Sequence, residues 1–284
     1  MLKKTTIKTI QSMKQNGEKI AVLTAYDYST AKYLDEAGID IVLVGDSLAN
    51  VALGYNSTQS VGMTEMLIFT GAVARGVNRA LIVGDMPFMS YNVCIEDGIK
   101  NAGDMLKAGA NAVKIEGCND YILQLVKRLT ESGIPVLAHL GFTPQSINTL
   151  GGYTVQGKSV DATKDILDSA KKLEQAGAFA LVLEMVPEEC AKYITENINI
   201  PTISIGAGRY CSGQVLVSDD LLGKFSDYQP KFVRKYANLK NTILDAITQY
   251  CKDVKEGNYP SESEIFSLNK EESEKLGIIE NANT

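Results

Sequence analysis

Histidine is nearly absent from this chain: His139 is the only one in 284 residues. That alone disfavours a zinc site built on imidazoles. Cysteine offers little more. Cys94, Cys118, Cys190, Cys211 and Cys251 are odd in number and widely spaced, with no Cys-x-x-Cys pair. Such spacing supports neither a zinc knuckle nor a disulfide framework, and fits reduced thiols. Positive charge is also short. The formal net charge is -6, and no basic patch of the kind that binds nucleic acid is present. No apolar run approaches the length that spans a bilayer. The basic start, Met1-Leu2-Lys3-Lys4, is not followed by the apolar core of a secretory signal. A cytoplasmic protein with small-molecule partners is expected, contacting neither nucleic acid nor membrane.

What the chain does have is a repeat of short apolar runs, each followed by a longer amphipathic stretch. The runs fall at residues 20–25, 39–44, 80–83, 112–115, 135–138, 180–183, 201–205 and 214–217. Strands that are near-continuously apolar and alternate with helices indicate a parallel sheet buried on both faces. Helices are predicted over residues 29–36, 99–108 and 166–176, each stopped by a glycine: Gly38, Gly109 and Gly177. About eight strand–helix units in about 260 residues make an α/β fold, a closed (β/α)₈ TIM barrel. An open doubly wound sheet is the alternative. Residues 7–13 precede the first strand and read as an extra N-terminal helix. The expectation is a single domain over residues 1–284, ending in a polar tail at 261–284 with a surface helix from about residue 269.

Polar residues gather where the apolar runs end. Tyr26-Asp27 follows the first, Asp46-Ser47 the second and Asp85 the third. Lys114 and Glu116 belong to the fourth, His139 to the fifth and Glu184 to the sixth. In a barrel these ends converge on one mouth, where such enzymes keep their active sites. One aspartate at a strand end often only caps the next helix. Lys, Glu and His are poor caps, so capping does not explain the set. Asp46, Asp85 and Glu116 lie on consecutive strands, roughly 4.8 Å apart. Three carboxylates that close raise one another's pKa, and a bound cation relieves the repulsion. An all-oxygen site with few carboxylates suits Mg²⁺. The competing account is an ion-pair network in which Lys114 neutralises Asp85 and Glu116. Glu184 closes an apolar strand, where desolvation would suit a general base; it could equally pair with a nearby cation. His139 is either a structural residue or a contributor to a substrate or metal shell. Gly206-Ala207-Gly208 lacks the full dinucleotide fingerprint.

Several segments carry a resemblance to one family. They include Thr24-Ala25-Tyr26-Asp27-Tyr28-Ser29, Val44-Gly45-Asp46-Ser47-Leu48 and Asp85-Met86-Pro87-Phe88-Met89. Val113-Lys114-Ile115-Glu116-Gly117, His139-Leu140-Gly141-Phe142-Thr143-Pro144-Gln145-Ser146 and Leu183-Glu184-Met185-Val186-Pro187 follow in order. Together they resemble the ketopantoate hydroxymethyltransferases, also called 3-methyl-2-oxobutanoate hydroxymethyltransferases, of pantothenate synthesis. The resemblance implies a (β/α)₈ barrel and Mg²⁺ at Asp46 and Asp85 with Glu116 close by. It implies that the 2-oxo acid meets Asp46, Ser47, Asp85 and Lys114, and that Glu184 accepts the proton. The donor would be 5,10-methylenetetrahydrofolate, the product 2-dehydropantoate, and the assembly a homo-oligomer, commonly a decamer. The chain departs from the family pattern after Gly54, where Tyr55-Asn56-Ser57-Thr58-Gln59-Ser60-Val61 replaces an Asp-Ser-Thr-Leu-Pro-Val run. Two other readings compete: a Mg²⁺-dependent carbon–carbon lyase or phosphonomutase on a similar barrel, and an idle barrel serving as a binding module. The Lys114, His139 and Glu184 set weighs against the first, and intact Asp46, Asp85 and Glu184 against the second.

Overall fold

The computed structural model describes residues 4–224 and 229–278. Its strands are β1 (Ile20–Thr24), β2 (Ile41–Val44), β3 (Leu81–Asp85), β4 (Ala112–Glu116), β5 (Val136–Gly141), β6 (Ala180–Glu184), β7 (Thr202–Ile205) and β8 (Gly213–Leu216). They form a closed barrel in sequence order. Every pairing is parallel, including the seam of β1 against β8. The closed barrel therefore holds, and the open sheet does not.

Period-two alternation along each strand builds two separate cores. In β2, Ile41 and Leu43 join the inner cluster, with Leu81, Val83, Ala112, Leu137, Ala180, Val182 and Ile203. Val42 and Val44 join the outer cluster, which packs strands against helices. Continuing the inner parity by two residues lands on Asp85 in β3, Lys114 and then Glu116 in β4, His139 in β5 and Glu184 in β6. The polar residues are thus the next layer of the same stack, at the C-terminal mouth. They sit on hydrogen-bonded strands rather than on loops, so their Cα positions are fixed by the ladder. Register places Asp85 beside Lys114 and Glu116 beside His139.

The opposite end is closed by α1 (Ile7–Gln15). Thr6 caps it by accepting from the Thr9 backbone N–H, and the Thr9 side chain answers. Ile10 is fully buried in the inner cluster, flanked by Ile7 and Met13. Burial of one such side chain contributes about 1.5–3 kcal/mol. Lys14 Nζ donates to the carbonyls of Thr195, Ile198 and Ile200 at 3.0, 2.8 and 2.9 Å. This confirms the extra N-terminal helix and extends it by two residues.

The strand–helix alternation is less regular than expected. Long helices follow β1 to β6: Tyr28–Glu36, Met63–Gly76, Ile95–Ala108, Asp120–Glu131, Val160–Gln175 and Glu188–Asn197. Among the described residues no helix separates β7 from β8. There, Gly206 and Gly208 adopt φ of +65° and +83°, conformations that a helix does not accept. Among the described residues, the short helix Ser218–Leu221 is the one helix that follows β8 before residue 237.

Two compact units emerge, Met1–Ala237 and Asn238–Thr284. The boundary differs from the expected single domain with a tail from residue 261. The first unit is the barrel. The second contains the helix Leu239–Glu256, ended by Gly257 at φ +75°, and the short helix Lys270–Lys275. The surface helix expected from residue 269 is this short one, and its expected frayed end beyond residue 278 lies outside the described residues. No helix among the described residues is long and apolar enough to cross a membrane.

Candidate active site

A cavity of about 220 Å³ opens at the C-terminal mouth, lined among others by Asp46, Ser47, Asp85, Lys114, Glu116, His139 and Glu184. All seven residues singled out from the sequence therefore meet in one place. A second cleft of about 480 Å³ adjoins it, sharing Thr58, Pro144 and Tyr153, and is lined by Asn56, Ser57 and Gln59 of the unusual segment.

Lys114 sits at the centre of the acids. Its Nζ lies 2.8 Å from Asp85 Oδ1 and 3.4 Å from Glu116 Oε1, and the three side chains are nearly fully buried. Burial favours a neutral amine, but the charges of Asp85, Glu116 and Asp46 outweigh it, so Lys114 is held cationic. Glu116 is spoken for on both oxygens. Oε1 meets Lys114 and His139 Nδ1, and Oε2 accepts from the Gln145 backbone N–H at 3.1 Å. Burial would raise its pKa, yet Lys114, His139 and the Gln145 N–H together hold it at about 2.

The other two buried acids are less well compensated. Asp46 is pushed well above the usual carboxylate range by burial and then by the charge of Asp85. Asp85 is raised by burial too, against the opposing pull of Lys114. The Asp46 backbone N–H donates to Asp85 Oδ2 at 3.2 Å, so the two residues are in contact. Asp85 Oδ1 has the Lys114 ammonium as its one partner, at 2.8 Å. Two buried carboxylates in contact, sharing the charge of one lysine with a third, suit a hard divalent cation. The ion-pair network and the metal reading are therefore not exclusive. Lys114 neutralises part of the site and leaves Asp46 and Asp85 with charge to spare. Among the described residues, no group of three or more His, Cys, Asp or Glu is spaced to hold an ion directly. With Glu116 occupied as described, the three expected carboxylates divide into a pair that can ligate and a third that anchors Lys114.

His139 bridges the two halves of the site. Its Nδ1 is 3.2 Å from Glu116 and its Nε2 is 3.3 Å from Glu184 Oε2. Burial and Lys114 lower its pKa, but Glu116 and Glu184 outweigh them and bring it to about 9. The imidazole is thus a cation at neutral pH, held between acids on both sides. It lines the cavity, as its place at the mouth suggests, and also sits against Glu184. The sign of its pH effect follows. A cation whose pKa is raised from 6.5 to about 9 stabilises the folded state fully below pH 6.5. That stabilisation should be lost as pH rises through 9. Chemical denaturation in the presence of a chelator should show a decline over this window, and His139→Gln should flatten it. An unchanged slope in the variant would refute the ion-pair assignment.

Glu184 is placed by local backbone geometry. Met185, directly after it, has φ +46°, a costly conformation for a residue with a side chain, about 1–3 kcal/mol. Hydrogen bonds from Met185 N to the Ile205 carbonyl and from Gln156 N to the Met185 carbonyl, both 2.9 Å, hold it. Across the strand pair, Gly141 has φ +93°, and a Cβ there would collide with the Glu184 carbonyl. The Glu184 side chain keeps 13% of its surface exposed and faces His139. It is therefore less dry than the apolar strand before it suggests. Ser47 Oγ lies 2.8 Å from the Tyr26 hydroxyl, a pairing that no sequence pattern disclosed.

Comparison with known proteins agrees with this geometry. The model of the family described as ketopantoate hydroxymethyltransferase matches residues 4–262. The 3-methyl-2-oxobutanoate hydroxymethyltransferase of Clostridium botulinum (strain Langeland) is 51% identical over 272 residues, covering 95% of this chain and 98% of its own. That of Thermotoga neapolitana is 54% identical over 261 residues, covering 92% and 96%. Among solved structures, phosphonopyruvate hydrolase in complex with oxalate and Mg²⁺ aligns with a TM-score of 0.60 at 12% identity, over 96% of this chain and 95% of that one. A 2,3-dimethylmalate lyase aligns with a TM-score of 0.58 at 14% identity, over 96% and 97%. At such identities the structural likeness is one of fold.

Proposed function

We propose, from the premise that the chain belongs to the ketopantoate hydroxymethyltransferase family, that the barrel-mouth cavity is where that reaction runs. The chain transfers a hydroxymethyl group to 3-methyl-2-oxobutanoate, giving 2-dehydropantoate, and the donor is 5,10-methylenetetrahydrofolate. The observation that carries the assignment of roles is the division of the acids. Asp46 and Asp85 form a buried pair in direct contact, less well compensated than Glu116, while Glu184 stands apart on the His139 side, with part of its surface open.

Asp46 and Asp85 are the residues that would hold Mg²⁺, with Glu116 at their side. When bound, the ion supplies a Lewis acid for the ketone oxygen of the 2-oxo acid and stabilises negative charge there. Lys114 is fixed as a cation by Asp85 and Glu116 and orients the substrate carboxylate. Tyr26 stays protonated because burial raises its pKa, against the effect of its bond to Ser47. With Tyr26 as donor to Ser47 Oγ, the Ser47 hydrogen is left to donate to the substrate. Glu184 accepts the C3 proton, and C3 forms a bond to the one-carbon unit as its bonds to the folate nitrogens break; water supplies the hydroxyl oxygen and tetrahydrofolate leaves. His139 holds Glu184 in place and offsets its charge before the proton arrives. The folate enters by the adjoining cleft beside Asn56–Gln59, which gives the departure from the family pattern a location in the donor half of the site. By the same family resemblance the chain works in the cytoplasm as a homo-oligomer, commonly a decamer, a mass that light scattering would check.

The assay is direct. Purified protein given 3-methyl-2-oxobutanoate and 5,10-methylenetetrahydrofolate should form 2-dehydropantoate with Mg²⁺ and stop when a chelator is added. Product formed at an undiminished rate under chelation would remove the metal from the scheme. No product under any condition would remove the activity.

A further inference from the structure

Gln145 takes part in none of the steps above, yet it is only 4% exposed and touches both sets of acids. Its side-chain Nε2 donates to Asp46 Oδ2 at 3.0 Å and to the Met86 carbonyl at 2.9 Å. Its Oε1 accepts from the Tyr91 hydroxyl at 2.8 Å. The amide has two N–H donors and both face acceptors; its oxygen faces a donor. Turning the amide over would set its oxygen against the Met86 carbonyl and the Asp46 carboxylate. The network therefore admits one orientation. The backbone of the same residue donates from N to Glu116 Oε2 at 3.1 Å and accepts at O from Gln59 Nε2 at 2.7 Å. One residue thus ties the β2 carboxylate, the β4 carboxylate and the unusual segment of residues 55–61 to a common frame.

We infer that Gln145 is a positioning residue for the cation pair: by occupying Asp46 Oδ2 it fixes the rotamer of that carboxylate and leaves the other oxygen, Oδ1, for the cation that Asp46 and Asp85 would share. The inference rests on the assignment of Asp46 and Asp85 as the metal-holding pair. A carboxylate that had to find this orientation on binding would spend ordering free energy in doing so. Hydrogen bonds to the far side of ligating groups commonly govern metal affinity, and their loss costs about 10–100-fold. Tyr91 acts one step further out. Its hydroxyl is kept protonated by burial, with Glu116 adding to the effect, so it remains the donor that fixes the amide.

The test uses Mn²⁺ as the probe, with binding to the full-length protein followed by electron paramagnetic resonance. Gln145→Met keeps the bulk of the side chain and removes its three hydrogen bonds. It should weaken Mn²⁺ binding about 10–100-fold and lower kcat at saturating 2-oxo acid, with little change in KM for the folate. Tyr91→Phe keeps the ring and removes the donor to Oε1, together with a long acceptor, at 3.4 Å, for the Glu116 backbone N–H. It should weaken Mn²⁺ binding about 2–10-fold, the scale of one hydrogen bond, and serves if the first variant fails to fold. A variant with a lowered Tm but wild-type Mn²⁺ affinity and kcat would show a merely structural role and overturn the inference alone. Wild-type protein that binds no Mn²⁺ would overturn the metal assignment and this inference together.

Discussion

Replacing Glu184 by glutamine should slow hydroxymethyl transfer about 10²–10⁴-fold, the usual contribution of a positioned acid–base group. Affinity for the 2-oxo acid and for Mg²⁺ should hardly change. The amide keeps the shape of the side chain, and its oxygen still meets His139 Nε2, now 3.3 Å from the carboxylate. Asp46, in the turn after β2, and Asp85, at the end of β3, lie elsewhere and are untouched. The diagnostic measurement is exchange of the C3 hydrogen of 3-methyl-2-oxobutanoate in D₂O. It isolates proton removal from attack on the donor, and it should fall together with transfer. A variant that loses transfer but exchanges at the wild-type rate would move Glu184 to the folate half of the reaction.

Lys114→Met should be the most destabilising change in the site, by about 3–5 kcal/mol, the range for removing one partner of a buried ion pair. Asp85 and Glu116 would lose the cation that both contact, and Asp46 a nearby one. The sign with pH distinguishes this from a packing defect. Lys114 lowers the pKa of all three acids. Without it they bind protons more tightly folded than unfolded, and stability falls as pH rises through their unfolded pKa values toward the raised folded ones. Urea denaturation should therefore show the deficit shrinking from pH 7 toward pH 4.5. A deficit independent of pH would mean that lost packing, and not charge, is the cause. Activity should be lost as well, because Lys114 is the cation proposed to orient the substrate carboxylate, and His139 is engaged by Glu116 and Glu184.

Much of this was legible before any coordinates, and the reasons are specific. The apolar runs marked all eight strands because a barrel strand is buried on both faces. The runs ended early at β3, β5 and β6, at Val83, Ala138 and Leu183. There the inner parity continues into Asp85, His139 and Glu184, and hydropathy reads a functional layer as the end of a strand. The helix Val160–Gln175 begins six residues before its predicted start. Its first turn is capped by Ser159, accepting from Ala162 N, and carries few apolar side chains to reveal a period. The seven chemical residues followed from where they sit relative to strand ends. Gln145 and Tyr91 did not. They work by contacts with residues 29 to 99 positions away, and a hydrogen-bond partner at that distance leaves no periodic mark. The only sequence signal was the His139–Ser146 segment, which carried the family resemblance without saying what Gln145 does.

The seat of α1 bears on how the molecule is made. Lys14 is held by carbonyls 181 to 186 residues further along the chain, and β1 finds its second neighbour only in β8. At about 5–20 residues per second, roughly 10–40 s of synthesis separate the emergence of this helix from that of its docking site. Through that interval Ile7, Ile10 and Met13 have no inner cluster to enter, and β1 keeps an unpaired edge. Contacts so distant in sequence also slow the search in a finished chain. α1, made well before its docking site, is among the last elements to be seated, and the nascent chain is most open to misassociation in that interval.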